Sequence, residues 1–269
     1  MLQQRVLSAI VLVPVVLGAT YFGGWVFFTL VFIVTLLAGY EFFALLASRG
    51  YHPAPVLGLA LIAGLIIAAS LPDRHLDRLV LAVGLILSLL WQIGRSPLRR
   101  SLSDWALTMT GAVYIGWLAG FMISVRELPD GLGWILVILV GTWANDSAAY
   151  LTGVYLAGRY LGRHAFAPTV SPKKTWEGSV AGWLMCTAVT AGLATFLGAP
   201  LPSSIGIGLA VGILGTMGDL GVSVIKRQVG VKDSSSLIPG HGGMLDRVDS
   251  LLFASVIVYY FVLWFVQPR

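Results

Sequence analysis

Nine long apolar runs joined by short polar connections leave this chain few ways to fold in water. They lie near residues 5–22, 24–47, 54–71, 77–94, 104–125, 132–157, 179–197, 204–225 and 247–266. Each approaches the roughly 20 apolar residues that an α-helix needs to cross the hydrocarbon core of a bilayer. With 57% hydrophobic and 11% charged residues, the chain lies outside the range of soluble domains. The expectation is an all-α, polytopic membrane protein with about nine transmembrane helices. Only Tyr21 to Gly24 divides the first two runs, so these also read as one broken hairpin. No repeat, low-complexity tract or soluble domain intervenes. Residues 1–269 therefore read as a single integral membrane domain, with scaffold helices over 1–100 and the chemistry over 140–250.

Arg5 followed by an apolar run superficially suggests a signal peptide. No small-residue cleavage site follows before more hydrophobic sequence, so this segment is read as a retained first helix. Lysine and arginine accumulate in cytoplasmic loops. A cytoplasmic N-terminus puts Arg5, Arg49, Arg95, Arg99, Arg100, Arg159, Arg163, Lys173, Lys174, Lys226, Arg227, Lys232 and Arg247 inside. Arg74, Arg78, Arg126 and Arg269 are then outside, so 13 of the 17 basic residues share one side. The expected location is the cell (inner) membrane, with the polar loops facing the cytoplasm. Cys186, the only cysteine, allows no intramolecular disulfide and no cysteine metal cluster. The four histidines lack zinc-ligand spacing.

The longest polar connections run over about 158–178 and 226–246, and any soluble-face chemistry has to reside there. Gly208, Gly212 and Gly215 form a small-residue stripe of the kind that lets membrane helices approach closely. Continued by helical steps, it reaches Asp219, Ser223 and Lys226. Asp219 lies about 10 Å inside the end of its helix, and a charge at that depth needs a partner. A metal ion or Lys226 is the candidate, and a purely structural contact with Lys226 or Ser223 is the alternative. Asp246 and Asp249 stand three apart at the start of the last run, on one side of a first helical turn. Such a pair serves capping and dipole compensation, or, together with Asp219, magnesium, which takes one or two carboxylates plus phosphates and water.

Gly240, Gly242 and Gly243 permit conformations that expose successive amides to an anion. Lys226, Arg227, Lys232 and Arg247 flank them, and His241 is a further phosphate donor or a structural hydrogen bonder. Lys173 and Lys174, just after Ser171, are either phosphate contacts or topology signals. Asp146, deep in its run, needs a basic partner or a watery cavity shared with Asp219. Glu41, in a helix without a motif, reads as a structural hydrogen-bonding group. Neither Gly-x4-Gly-Lys-Ser/Thr nor a strand-linked Gly-x-Gly-x-x-Gly occurs, so any nucleotide binding would have to use metal, basic side chains and loop amides.

The pattern Ser223-x-x-Lys226-Arg227-x4-Lys232-Asp233-x5-Pro239-x-His241-Gly242-Gly243-x-x-Asp246-Arg247-x-Asp249 closely resembles the signature of the phosphatidate cytidylyltransferases, or CDP-diacylglycerol synthases. The block from Asp146 to Gly178, with Ser171, Lys173 and Lys174, also looks like this family. The N-terminal half is similar only in hydropathy. The resemblance implies reaction of CTP with phosphatidic acid to give CDP-diacylglycerol and pyrophosphate, with magnesium, one or two metal ions in all, and a homodimer. It implies catalytic roles for Asp219, Lys226, Asp246 and Asp249, with Asp219, Asp246 and Asp249 as metal ligands. Ser223, Arg227, Lys232, His241, Gly242, Gly243, Arg247, Lys173, Lys174 and Ser171 are then expected to bind substrate. Membrane lipids are expected partners and nucleic acid is not. A CTP-dependent lipid or polyprenol kinase and a transporter with Asp146, Asp219 and Glu41 on an ion path are the alternatives.

Overall fold

The computed structural model describes residues 2–94, 101–238, 240 and 242–266. Arg95, Arg99, Arg100, Pro239, His241 and Arg269 lie outside the described residues, as do the side chains of Arg5 and Arg159. All nine apolar runs lie on helices. These are α1 (Leu2–Phe22), α2 (Gly24–Ala47), α3 (Pro55–Ala69), α4 (Leu76–Ile93), α5 (Ser101–Gly111), α6 (Leu118–Glu127), α7 (Gly131–Leu151), α8 (Trp176–Phe196), α9 (Leu201–Gln228) and α10 (Leu245–Phe261). Wider π-helical turns at Ala112–Trp117, Thr152–Leu161 and Val262–Val266 join α5 to α6 and extend α7 and α10. The chain is thus a polytopic, helical membrane protein, with seven helices long and apolar enough to cross a bilayer among the described residues. The apolar helix Pro55–Ala69 is shorter. The 15 residues of α3 extend only about 22 Å, less than the roughly 30 Å hydrocarbon core. A break at Gly23 divides α1 from α2.

The all-helical expectation needs one addition. Strands Ala165–Ala167 (β1) and Ser171–Thr175 (β2) form an antiparallel hairpin, pairing Ala165 with Thr175 and Ala167 with Ser171. This short ladder satisfies part of the backbone of the polar 158–178 connection. Phe166 anchors it on α8 through edge-on contacts with Trp176 (4.5 Å) and Trp183 (6.0 Å), and the Trp176 amide donates to the His164 carbonyl at 2.9 Å.

Two compact units result. The first comprises residues 1–124 and 228–248, the second 125–227 and 249–269. Phe42, Phe43, Ile62, Ile66 and Ile115 fill the first core. Gly58 sits against the Phe43 ring and Gly84 against Leu61, so small residues set the close helix spacing. The α4 residues Leu79, Ile86 and Leu90 remain exposed, as a lipid-facing helix requires. In the second unit Trp134, Ile135, Ile138 and Leu139 are buried, and Trp134 meets Phe261 edge-on at 6.2 Å. The glycine stripe of α9 packs as its spacing predicts, with Gly208 against the Thr187 backbone and Gly212 against Trp183 of α8.

Candidate active site

Two polar constellations emerge, one in each unit. In the second, α7, the following π-helical turn, β2, α8 and α9 surround a cavity of about 580 Å³. Asn145, Asp146, Arg163, Lys173, Lys174 and Asp219 line it, so the cavity is the shared space that Asp146 and Asp219 require at membrane depth. Three cationic side chains face two carboxylates there. A volume of this size falls in the ordinary range for small-molecule sites.

Asp219 has a partner that helical spacing, which offered a metal or Lys226, does not identify. Lys174 Nζ lies 2.5 Å from Asp219 Oδ2. The hairpin places Lys174 of β2 within reach of Asp219 of α9, a long-range arrangement invisible in helix periodicity. Thr175 Oγ1 caps the start of α8 by accepting from the Gly178 amide at 3.1 Å, which orients the strand end that carries Lys174. Arg227 Nε donates to the Val170 carbonyl at 3.0 Å and ties the hairpin turn to the end of α9. Ser223 and Lys226 are each only 7% exposed, so the polar residues of α9 lie on its packed face. Ser171 begins β2 and is half-buried.

Asp249 also belongs to this unit. It is buried, and its Oδ1 accepts from the Ser250 amide at 2.6 Å. A Cβ on Gly218 would stand 2.6 Å from the Asp249 carbonyl oxygen. The backbones of α9 and α10 therefore touch where Asp219 and Asp249 sit. Asp219 lines the cavity and Asp249 is buried on the adjoining helix; carboxylates are the ligand type that magnesium takes, commonly one or two completed by phosphates. Within neither unit do three His, Cys, Asp or Glu side chains gather as a complete metal cage among the described residues.

The constellation of the first unit is the signature loop. Gly240 and Gly242 have φ of 78° and 81°, the left-handed conformation that favours glycine. The Ile238 amide donates to the Gly242 carbonyl at 2.9 Å and closes the turn. Asp246 Oδ2 accepts from the Ser234 amide and hydroxyl, both at 2.9 Å, and from the Gly243 amide at 3.0 Å. Lys232 and Arg247 are exposed on the same segment. Glu41 enters from α2, only 3% exposed, and accepts four hydrogen bonds from this segment. The structural role read from its sequence context is met, with partners that no local pattern identifies.

The chain matches the Cytidylyltransferase family over residues 3–265. It belongs to that family. Relatives called phosphatidate cytidylyltransferase include one from Synechocystis, 30% identical over 96% of each chain. Another, from Brucella melitensis, is 34% identical over 99% of this chain and 95% of its own. The chloroplastic phosphatidate cytidylyltransferase 4 of Arabidopsis thaliana is 35% identical over 89% of this chain and 68% of its own.

For a cytidylyltransferase-family chain, sequence reasoning left three groups without a site role. Arg163 lines the cavity yet reads in sequence as one more positive-inside residue. Asn145 and Thr216 form a buried pair at 3.3 Å, to which Trp183 Nε1 adds a bond at 3.2 Å. Ser234 and Ser235 carry the ties to Glu41. Arg163 lies inside the second sequence block, and Ser234 and Ser235 inside the signature, at positions that those patterns leave open, while Asn145 immediately precedes Asp146.

Proposed function

We propose that this cytidylyltransferase-family protein transfers the cytidylyl group of CTP to phosphatidic acid, releasing pyrophosphate and forming CDP-diacylglycerol. Membership across nearly the whole chain supports the reaction, and the cationic cavity beside Asp219 supports the location. A lipid phosphate and a nucleotide triphosphate repel one another, so cations have to offset both charges and that of the departing pyrophosphate.

In this reading Lys173 and Lys174 bind phosphate oxygens at the cavity, joined by Arg163. Lys226, Arg227, Lys232, Arg247, Ser223, Ser171, His241, Gly242 and Gly243 are the further substrate-binding residues we assign. Asp219, Asp246 and Asp249 are the ligands we assign to one or two magnesium ions, which supply Lewis-acid neutralisation of the polyphosphate when bound. A phosphatidate oxygen is already ionised at neutral pH, so attack on the α-phosphorus needs no general base. The P–O bond to the β-phosphate breaks as the new P–O bond forms, and pyrophosphate leaves. Rate then comes from orientation and charge stabilisation.

We assign nine membrane crossings on the nine apolar runs, local bilayer thinning accommodating the short α3. We assign a cytoplasmic N-terminus and a cytoplasm-facing site in the cell membrane on the asymmetry of 13 against 4 in the 17 basic residues. The family resemblance supports a homodimer. Purified protein given CTP, phosphatidic acid and magnesium is expected to release pyrophosphate and accumulate CDP-diacylglycerol. Release of CDP with a phosphorylated lipid instead identifies a kinase and overturns the reading.

A further inference from the structure

We propose that Glu41 is a positioning residue for this reaction, setting the orientation of Asp246 and the start of α10 from a helix outside the signature. The proposal rests on the assignment of Asp246 as a metal ligand.

A carboxylate in the apolar interior of a helical unit has to be compensated. Among the described residues, Glu41 is compensated through one short segment. Its Oε1 accepts from the Ser235 hydroxyl at 2.6 Å and the Met244 amide at 2.9 Å. Its Oε2 accepts from the Ser234 hydroxyl and the Leu245 amide, both at 2.9 Å. Met244 and Leu245 stand at the N-terminus of α10, where backbone amides lack helical acceptors and the helix dipole favours negative charge. Glu41 therefore caps α10 in place of a neighbouring side chain.

The link to Asp246 runs through Ser234. Its single hydroxyl proton faces two acceptors, Glu41 Oε2 and Asp246 Oδ2, each 2.9 Å away. One proton serves one acceptor at a time, so the charge on Glu41 biases how Ser234 holds Asp246. Gly243 closes the assembly, because a Cβ there would overlap both Ser234 Oγ and Glu41 Oε2. An ordinary structural hydrogen bonder would need only its own lone pairs satisfied. Here, among the described residues, these four donors to Glu41 lie between residues 234 and 245, and Ser234 is shared with the carboxylate proposed to do chemistry. Groups that orient a metal ligand typically change metal affinity or activity 10–100-fold when removed.

The test is Mn²⁺ binding by the purified full-length protein, read by electron paramagnetic resonance without turnover. Glu41→Gln keeps the size of the side chain but removes its charge and one acceptor. The expected result is a Kd for Mn²⁺ weakened about 10-fold or more, with the magnesium KM raised in step and the phosphatidic acid KM unchanged. Wild-type Mn²⁺ affinity in a folded Glu41→Gln protein overturns the proposal. If that variant fails to fold, Ser234→Ala leaves three of the donors to Glu41 and carries the same test. A Ser234→Ala protein that binds Mn²⁺ as tightly as wild type overturns the proposal equally. Asp246→Asn is the control for the underlying reading: unchanged Mn²⁺ affinity there removes the metal assignment and this proposal with it.

Discussion

Lys174 Nζ and Asp219 Oδ2 lie 2.5 Å apart at the cavity of the second unit, joining a residue of β2 to one of α9. The side chains keep 26% and 32% of their exposure, so solvent screens the pair. Partly exposed pairs contribute no more than about 1 kcal/mol to stability. In the proposed reaction Lys174 then matters less for holding the fold than for its charge toward a polyanion. Lys174→Met is expected to change thermal stability little and to raise the KM for CTP about 10- to 100-fold. That factor corresponds to the loss of one charge-assisted hydrogen bond of about 1.5–3 kcal/mol. Steady-state kinetics beside a melting curve separate the two effects, and a large drop in melting temperature with unchanged KM would reverse this assignment.

Gly218→Ala tests the contact between α9 and α10. The added methyl would meet the Asp249 carbonyl oxygen at 2.6 Å, and a backbone atom cannot rotate away as a side-chain tip does. Overpacking of this kind costs about 1–3 kcal/mol. A lower melting temperature and weaker Mn²⁺ binding are expected together, since separating these helices moves Asp219 from Asp249.

Thr175→Ala removes the cap on α8. The Thr175 hydroxyl accepts from the Gly178 amide, and loss of such a cap typically costs about 1 kcal/mol. Lys174 immediately precedes the cap, so the KM for CTP is expected to rise with the loss of stability. Thr175→Ser restores the acceptor and is expected to rescue both, as paired melting and kinetic measurements will show.

Arg227→Ala frees the hairpin turn by deleting the bond to the Val170 carbonyl. Faster proteolytic cleavage near residues 168–170 is expected, and substrate protection should diminish. Arg227→Lys does not restore the original behaviour, because an ammonium lacks the planar Nε–H geometry. Limited proteolysis followed by mass spectrometry reads the result.

Apolar run lengths determine the helical membrane architecture from sequence alone, because a bilayer accepts few other spanning forms. The stripe Gly208, Gly212 and Gly215 likewise foretells the packed face of α9, since helix geometry repeats every few residues. The spacing from Ser223 to Asp249 is local and survives in the one-dimensional pattern. What tertiary structure alone decides is pairing across distance. Glu41 meets Ser234 and Leu245 across 193 and 204 residues, and Lys174 reaches Asp219 only after a hairpin that the polar connection did not announce. Hydropathy records which segments leave water, and a motif records neighbours along the chain. Neither records which buried charge meets which donor, because that depends on how helices distant in sequence come to rest against one another.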